Sequence, residues 1–222
     1  HADVVERDLL DRPDLATSPA SVAAVHQALA MAGLEIEALS ALDLYSCFPI
    51  AVSNITDAFG LHADDPRGLT ATGGLPFFGG PGNNYSMHGI AAIVRRVRAA
   101  PGSPGLVTAN GGILSKYSVG VYSTVPRDWQ PPMPVPLPAD PAPQHARMPV
   151  GRVRVETCTV VYERGIPTLG IAVARLAADD SRVLACTAPG DHRAIDALLA
   201  EEPRGIPLSV TQLGGLSILV AE

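Results

Sequence analysis

Cys47, His88 and Asn110 are the side chains of this sequence best suited to chemistry, and each lies in or beside a turn or junction. An imidazole exchanges a proton near neutrality, an amide donates and accepts hydrogen bonds, and a thiol does both weakly. The segment GGLPFFGGPGNNYSMHGIAAIV, from Gly73 to Val94, joins a glycine-dense turn to an amphipathic helix. Gly79 and Gly80 lie in the turn, Asn83 and Asn84 at the helix start, and His88 within it. Such glycines let a ligand or a neighbouring backbone approach closely. Further on, the apolar pair Leu106-Val107 runs into Asn110-Gly111-Gly112, which is expected to continue as a loop. Two glycine-rich turns at the ends of strands and helices suggest one pocket.

Each of these residues also has a purely structural reading. Asn83 and Asn84 stand where asparagine caps the orphan N–H groups of a helix. His88 reads equally as a hydrogen-bonded core histidine, and Cys47, among apolar neighbours, as a small hydrophobe. Asn110-Gly111-Gly112 also fits an ordinary turn.

The elements that must position these residues are read from periodicity and caps. Ser18-Pro19 opens a helix, with serine at the cap and proline at the first helical position, and Gly33 ends it. Residues 41–45 read as a short buried strand, 48–59 as a helix stopped by Gly60, 84–99 as a helix and 105–108 as a strand. This alternation predicts a layered α/β domain over residues 1–125, with 1–17 as a linker that contributes no strand. Residues 126–148 are so proline-rich that donors are missing and φ is fixed, which predicts a semi-rigid connector. Residues 149–222 change texture. Five short alternating, β-branched stretches and one helix near 191–201 predict a small barrel; the oligonucleotide-binding type is one member, but the strands carry few exposed aromatic or basic residues, which favours a packing or covering module.

Composition narrows the function class. At 47% hydrophobic and 17% charged over 222 residues, the chain can bury a real core. No apolar run reaches the roughly 18 residues of a membrane span, and no leader is evident, which predicts a cytoplasmic protein without a membrane partner. Three cysteines without ligand spacing indicate neither a disulfide framework nor a metal site. A net charge of -6 without a basic stripe argues against nucleic acid.

Three motifs, DLYSCFPIAV, TATGGLPFFGGPGNNYSMHGIAAIV and GLVTANGGILSKYSVGVYST, resemble in order and spacing the C-terminal half of the thiolase superfamily, particularly the sterol-carrier-protein thiolase-like proteins. Residues from about 148 onward resemble the additional C-terminal domain of one class of these proteins. The resemblance implies an acyl-CoA acyltransferase of lipid metabolism whose nucleophilic cysteine lies in an N-terminal half preceding this segment. Its partners would be acyl-CoA or CoA and that N-terminal half. Homodimerisation is usual for the family, though the added domain could cover the dimer face instead. No cofactor is implied beyond the coenzyme A carried by the substrate.

The chain departs from the family pattern at three places. Gly79-Gly80-Pro81 stands where the family has Gly-His-Pro, and Asn110 where it has the second cysteine. Tyr45-Ser46-Cys47-Phe48 replaces Asn-Glu-Ala-Phe or His-Asp-Cys-Phe. The resemblance therefore leaves His88, Asn110 and Cys47 as catalytic candidates, with Tyr45, Gly79, Gly80, Asn83, Asn84, Gly111 and Gly112 lining the substrate site. A CoA binder that has lost its acid/base set is the alternative.

Overall fold

The structure, a computed structural model, describes residues 2–5, 7–129, 131, 136–137 and 140–221. It divides into two compact units, one of residues 1–9 and 14–140, the other of residues 10–13 and 141–222.

The first unit is a four-stranded sheet in the order β1-β4-β3-β2, comprising β1 (Ala2–Val5), β2 (Ala41–Asp43), β3 (Gly105–Gly111) and β4 (Lys116–Tyr122). β2 and β3 run parallel, and β4 pairs antiparallel with both β3 and β1. Its helices are α1 (Pro19–Ala32), α2 (Pro49–Phe59), the short α3 (Leu75–Phe78) and α4 (Tyr85–Ala99). α1 and α2 end at Gly33 and Gly60, both in the left-handed conformation that favours glycine. Alternation along the strands divides the apolar residues between two faces. Leu42, Leu106, Tyr117 and Val119 pack with α1 and α2, whereas Ala41 and Val107 pack with Ile93 and Val97 of α4. The sheet is thus covered by helices on both sides, the layered α/β arrangement expected.

Two expectations change. Ala2–Val5, inside the stretch anticipated as linker, is an edge strand bonded to β4. The sequence beyond Asn110, anticipated as a loop, instead turns back within a few residues as β4, with Asn110 itself paired to Tyr117. The alternation of Tyr117, Val119 and Val121 carries that strand, but the neighbouring glycines and serines mask it.

The second unit is a closed barrel in the order β5-β6-β7-β9-β8, from β5 (Gly151–Glu163), β6 (Ile166–Leu176), β7 (Arg182–Thr187), β8 (Pro207–Leu213) and β9 (Leu216–Val220). β8 closes it by pairing with β5, and β7 with β9 is the parallel pair. Between β7 and β8 lies α5 (His192–Leu198), whose first turn is capped by the Asp191 carboxylate accepting from the Ala194 N–H at 3.1 Å. Valines and alanines fill the interior, among them Val153, Ala172, Ala174, Val183 and Ala185. Of the proline-rich connector, residues 130, 132–135, 138 and 139 lie outside the described residues. Among the described residues no helix is long and apolar enough to cross a membrane.

α5 seats on β6 through a missing side chain. A Cβ at Gly170 would stand 2.5 Å from Leu198 Cδ1 and 2.9 Å from Thr187 Cγ2, both buried side chains. Gly170→Ala is therefore expected to destabilise the barrel by about 1–3 kcal/mol through overpacking, read as a lowered midpoint in thermal unfolding.

Candidate functional site at the carboxyl ends of two parallel strands

Because β2 and β3 are parallel, the chain leaves both at the same edge of the sheet, the place where open α/β sheets bind ligands. β2 runs into Leu44-Tyr45-Ser46-Cys47 and then α2, while β3 carries Asn110 near its end. The Leu44 N–H donates to the Leu69 carbonyl at 2.9 Å and the Tyr45 N–H to Thr108 Oγ1 at 2.8 Å. So held, Cys47 Sγ lies 3.4 Å from Asn110 Nδ2 and 3.5 Å from its Oδ1. A thiol can donate to Oδ1, and a thiolate can accept from Nδ2, so one amide serves both protonation states. Cys47 is half-buried.

The glycine turn is anchored to the same place by Asp43. This fully buried carboxylate uses Oδ1 to accept from the N–H groups of Ala71 and Thr72, at 2.8 and 3.2 Å, and from Thr72 Oγ1 at 3.2 Å. Tyr85, the first residue of α4, reaches the same oxygen at 3.4 Å and Thr72 Oγ1 at 2.6 Å. Ser46 Oγ accepts from the Leu75 N–H at 2.8 Å, which ties α3 to the turn that carries Cys47. Tyr45 meets Tyr85 edge-on, ring centroids 5.4 Å apart. One acid thus joins the end of β2, the glycine turn and the start of α4.

Close packing explains two glycines here. A Cβ at Gly80 would meet Tyr85 Cβ at 2.5 Å and its Cα at 2.9 Å, and one at Gly89 would collide with Asp43 Oδ2. That Oδ2 is buried without a hydrogen-bond partner among the described residues, as is the Tyr117 hydroxyl. Burial pushes the Tyr117 phenol up to about 12 and raises Tyr85 and Tyr45 as well, with the nearby Cys47 adding to the effect at Tyr45. Burial likewise raises the Asp43 carboxyl, outweighing the hydrogen bonds from Thr72, Ala71 and Tyr85 that act the other way.

The remaining candidates divide into those at this edge and those apart from it. His88 Nε2 lies 3.1 Å from Asn84 Nδ2, and its ring stands 5.1 Å from that of Phe78. No hydrogen bond or ring contact among the described residues joins it to Cys47 or Asn110. Asn84 occupies the cap position of α4 without capping it through its side chain, and Asn83 is exposed before it. Gly111 pairs with Lys116 and Gly112 lies in the turn between β3 and β4. Gly79 ends α3. Phe48, Phe77, Phe78 and Ile113, on these same turns, are exposed. Among the described residues no group of His, Cys, Asp or Glu could hold a metal ion. Sequence reasoning missed Asp43, Thr72 and Ser46 as organisers. The signal was present, since Asp43 is the one acid inside the apolar stretch ALDLY.

Asp43→Ala is expected to cost about 2–5 kcal/mol by orphaning the donors of Ala71, Thr72 and Tyr85. Asp43→Asn keeps an acceptor and is expected to cost less. With its carboxyl raised, native Asp43 binds its proton more tightly than the unfolded chain does. Its contribution is therefore full below the ordinary value of 3.8 and declines as pH rises through the folded value. Chemical denaturation at pH 4 and pH 8 checks this: the native protein should lose stability relative to Asp43→Asn on going to the higher pH.

Residues 132–214 match the family model of the thiolase-like protein type 1 additional C-terminal domain. The crystal structure of a monomeric SCP2-thiolase-like protein type 1 from Mycobacterium smegmatis is 46% identical, with a TM-score of 0.89. The match covers 100% of this chain and 50% of that one, so the chain spans about half the length of this relative. No curated protein matches the sequence. With a shared fold at this identity over its whole length and the domain model over most of its barrel, the chain belongs to the thiolase-like proteins that carry the type 1 additional C-terminal domain.

Proposed function

We propose that the protein handles acyl thioesters of coenzyme A in lipid metabolism, with Cys47 and Asn110 as the proton-transfer and hydrogen-bonding pair of an acyl-transfer site. The contact of Cys47 Sγ with both ends of the Asn110 amide carries this reading. Acyl transfer from a thioester needs a nucleophile at the carbonyl carbon, donors for the oxyanion and a proton for the departing CoA thiolate. Cys47 is suited to supply that proton: its S–H bond breaks, the CoA sulfur takes the proton, and the Asn110 N–H holds the resulting Cys47 thiolate. The nucleophile would come from the half of the protein that this segment does not span. Exposed Phe48, Phe77, Phe78 and Ile113 offer apolar surface beside the site for an acyl chain or for that second half. Three free cysteines suit a reducing, cytoplasmic setting.

The second reading, a CoA-thioester binder without turnover, draws on specific positions. Gly80, against which Tyr85 packs, and Asn110 stand where the resemblance calls for a histidine and a cysteine, and His88 turns to Asn84 and Phe78 instead. Loss of acid and base groups that act as a unit removes several orders of magnitude in rate.

Isothermal titration of an acyl-CoA and a thiolysis assay, both on the full-length protein, separate these readings. Under the first, Cys47→Ala lowers kcat by about a hundredfold or more while binding is kept, and Asn110→Ala slows alkylation of Cys47 by iodoacetamide. His88→Ala, whose contacts lie elsewhere, changes kcat by less than about threefold. Binding without turnover in the native protein selects the second reading. Absence of acyl-CoA binding defeats both.

A further inference from the structure

Small barrels of this strand order take ligands on the outer face of their second and third strands, here β6 and β7. Ala172, Ala174, Val183 and Ala185 point into the barrel core. By alternation, Ile171, Val173 and Arg175 of β6 face outward opposite Cys186, Leu184 and Arg182 of β7. Leu184 is 52% exposed, yet Arg182 on the same face is only 2% exposed.

Residues 10–13, which belong to the barrel unit although they lie far from it in sequence, engage Arg182. Arg182 Nη1 donates to the carbonyl oxygens of Leu10 and Arg12, at 2.7 and 2.6 Å. His145 Nε2 stands 3.1 Å from the Leu10 oxygen and 3.2 Å from Asp11 Oδ1. The segment around His145 is itself fixed to β7 by an isolated bridge, with Arg182 N–H donating to the Gln144 carbonyl at 2.6 Å and Ala146 N–H to the Arg182 carbonyl at 3.0 Å.

The rest of the Arg182 guanidinium is held by Glu156, which also binds Arg175. Glu156 reaches both because a bulge in β5 leaves it unpaired between Val155 and Thr157. Burial alone would raise its carboxyl, but the hydrogen bonds from Arg182 and Arg175 outweigh that and hold it below the usual range.

We propose that the Arg182 end of the outer β6–β7 face is a docking site for a short peptide turn, and that its resident ligand is this chain's own segment Leu10–Pro13, which leaves the 3-10 turn Leu9–Asp11. Arg182 reads two backbone carbonyls, which any peptide offers, and His145 reads the Asp11 carboxylate. A nucleic acid fits the face poorly. Arg175 and Arg182 are both committed to Glu156, whose negative charge stands where a phosphate would have to bind.

The test uses the full chain with residues 10–13 replaced by a Gly-Ser stretch of equal length, titrated with a fluorescently labelled peptide of residues 7–15. Saturable binding is expected, at least about tenfold tighter than to the unaltered chain, whose own segment competes at high local concentration. Adding Arg182→Gln to the emptied chain, or Asp11→Asn to the peptide alone, should weaken binding by about tenfold or more. In the otherwise unaltered chain, Arg182→Gln should speed chymotryptic cleavage after Leu10 at least about tenfold. Any of three results overturns the proposal: an emptied chain that does not bind the peptide, one that binds labelled oligodeoxythymidylate in its place, or a cleavage rate unmoved by Arg182→Gln.

Discussion

The first unit depends on one buried acid. Asp43 ends a strand of only three residues, too short for its ladder to fix the path of the chain beyond it, and its Oδ1 gathers donors from the glycine turn and from the first residue of α4. Without that oxygen the turn would have no reason to return to the end of β2, because Gly73 and Gly74 prescribe no single path of their own. With it, Ser46 comes within reach of Leu75, Tyr45 meets Tyr85 edge-on, and Cys47 is left facing Asn110 across the parallel pair. A group this buried persists only when its hydrogen bonds offset the loss of water. The uneven use of its two oxygens, one crowded with donors and one bare, agrees with the raised carboxyl.

The second unit solves a different electrostatic problem. Arg175 and Arg182 are direct partners in the β6–β7 ladder, a placement in which two like charges repel. Glu156 lies between them as the shared anion, and the carbonyls of Leu10 and Arg12 accept from Nη1 of Arg182. Breaking one partner of a buried charge costs far more than the pair contributes, so such a cluster fixes geometry more than it adds stability.

Much of this architecture was legible in the sequence where one local signal decided the outcome. Ser18-Pro19 with Gly33, and Gly60 after Phe59, bounded α1 and α2, because proline and left-handed glycine act within a few residues. Asp191 announced α5 in the same way. The five barrel strands were readable from alternation. The strand after Asn110 was hidden because its alternation runs through small residues. β1 was hidden because an edge strand of four residues gains its identity only from its pairing with β4. At the site, the pairing of Cys47 with Asn110 depends on the register between β2 and β3, which no spacing along the chain encodes. The partners of His88, by contrast, lie on its own helix turn and on α3 just before it, within the motif that singled it out.

The bulge in β5 has an implication for the length of that strand. Glu156 faces outward after the inward Val155, and as the surplus residue it leaves Val155 and Thr157 matched to the consecutive β6 residues Ala174 and Val173. Removing that surplus would restore the two-residue rhythm by moving an anion out of line with its two guanidinium partners; adding another would turn valines of the barrel lining toward water. Away from Glu156, single substitutions along β5 leave this alignment in place, whereas a change in its residue count does not.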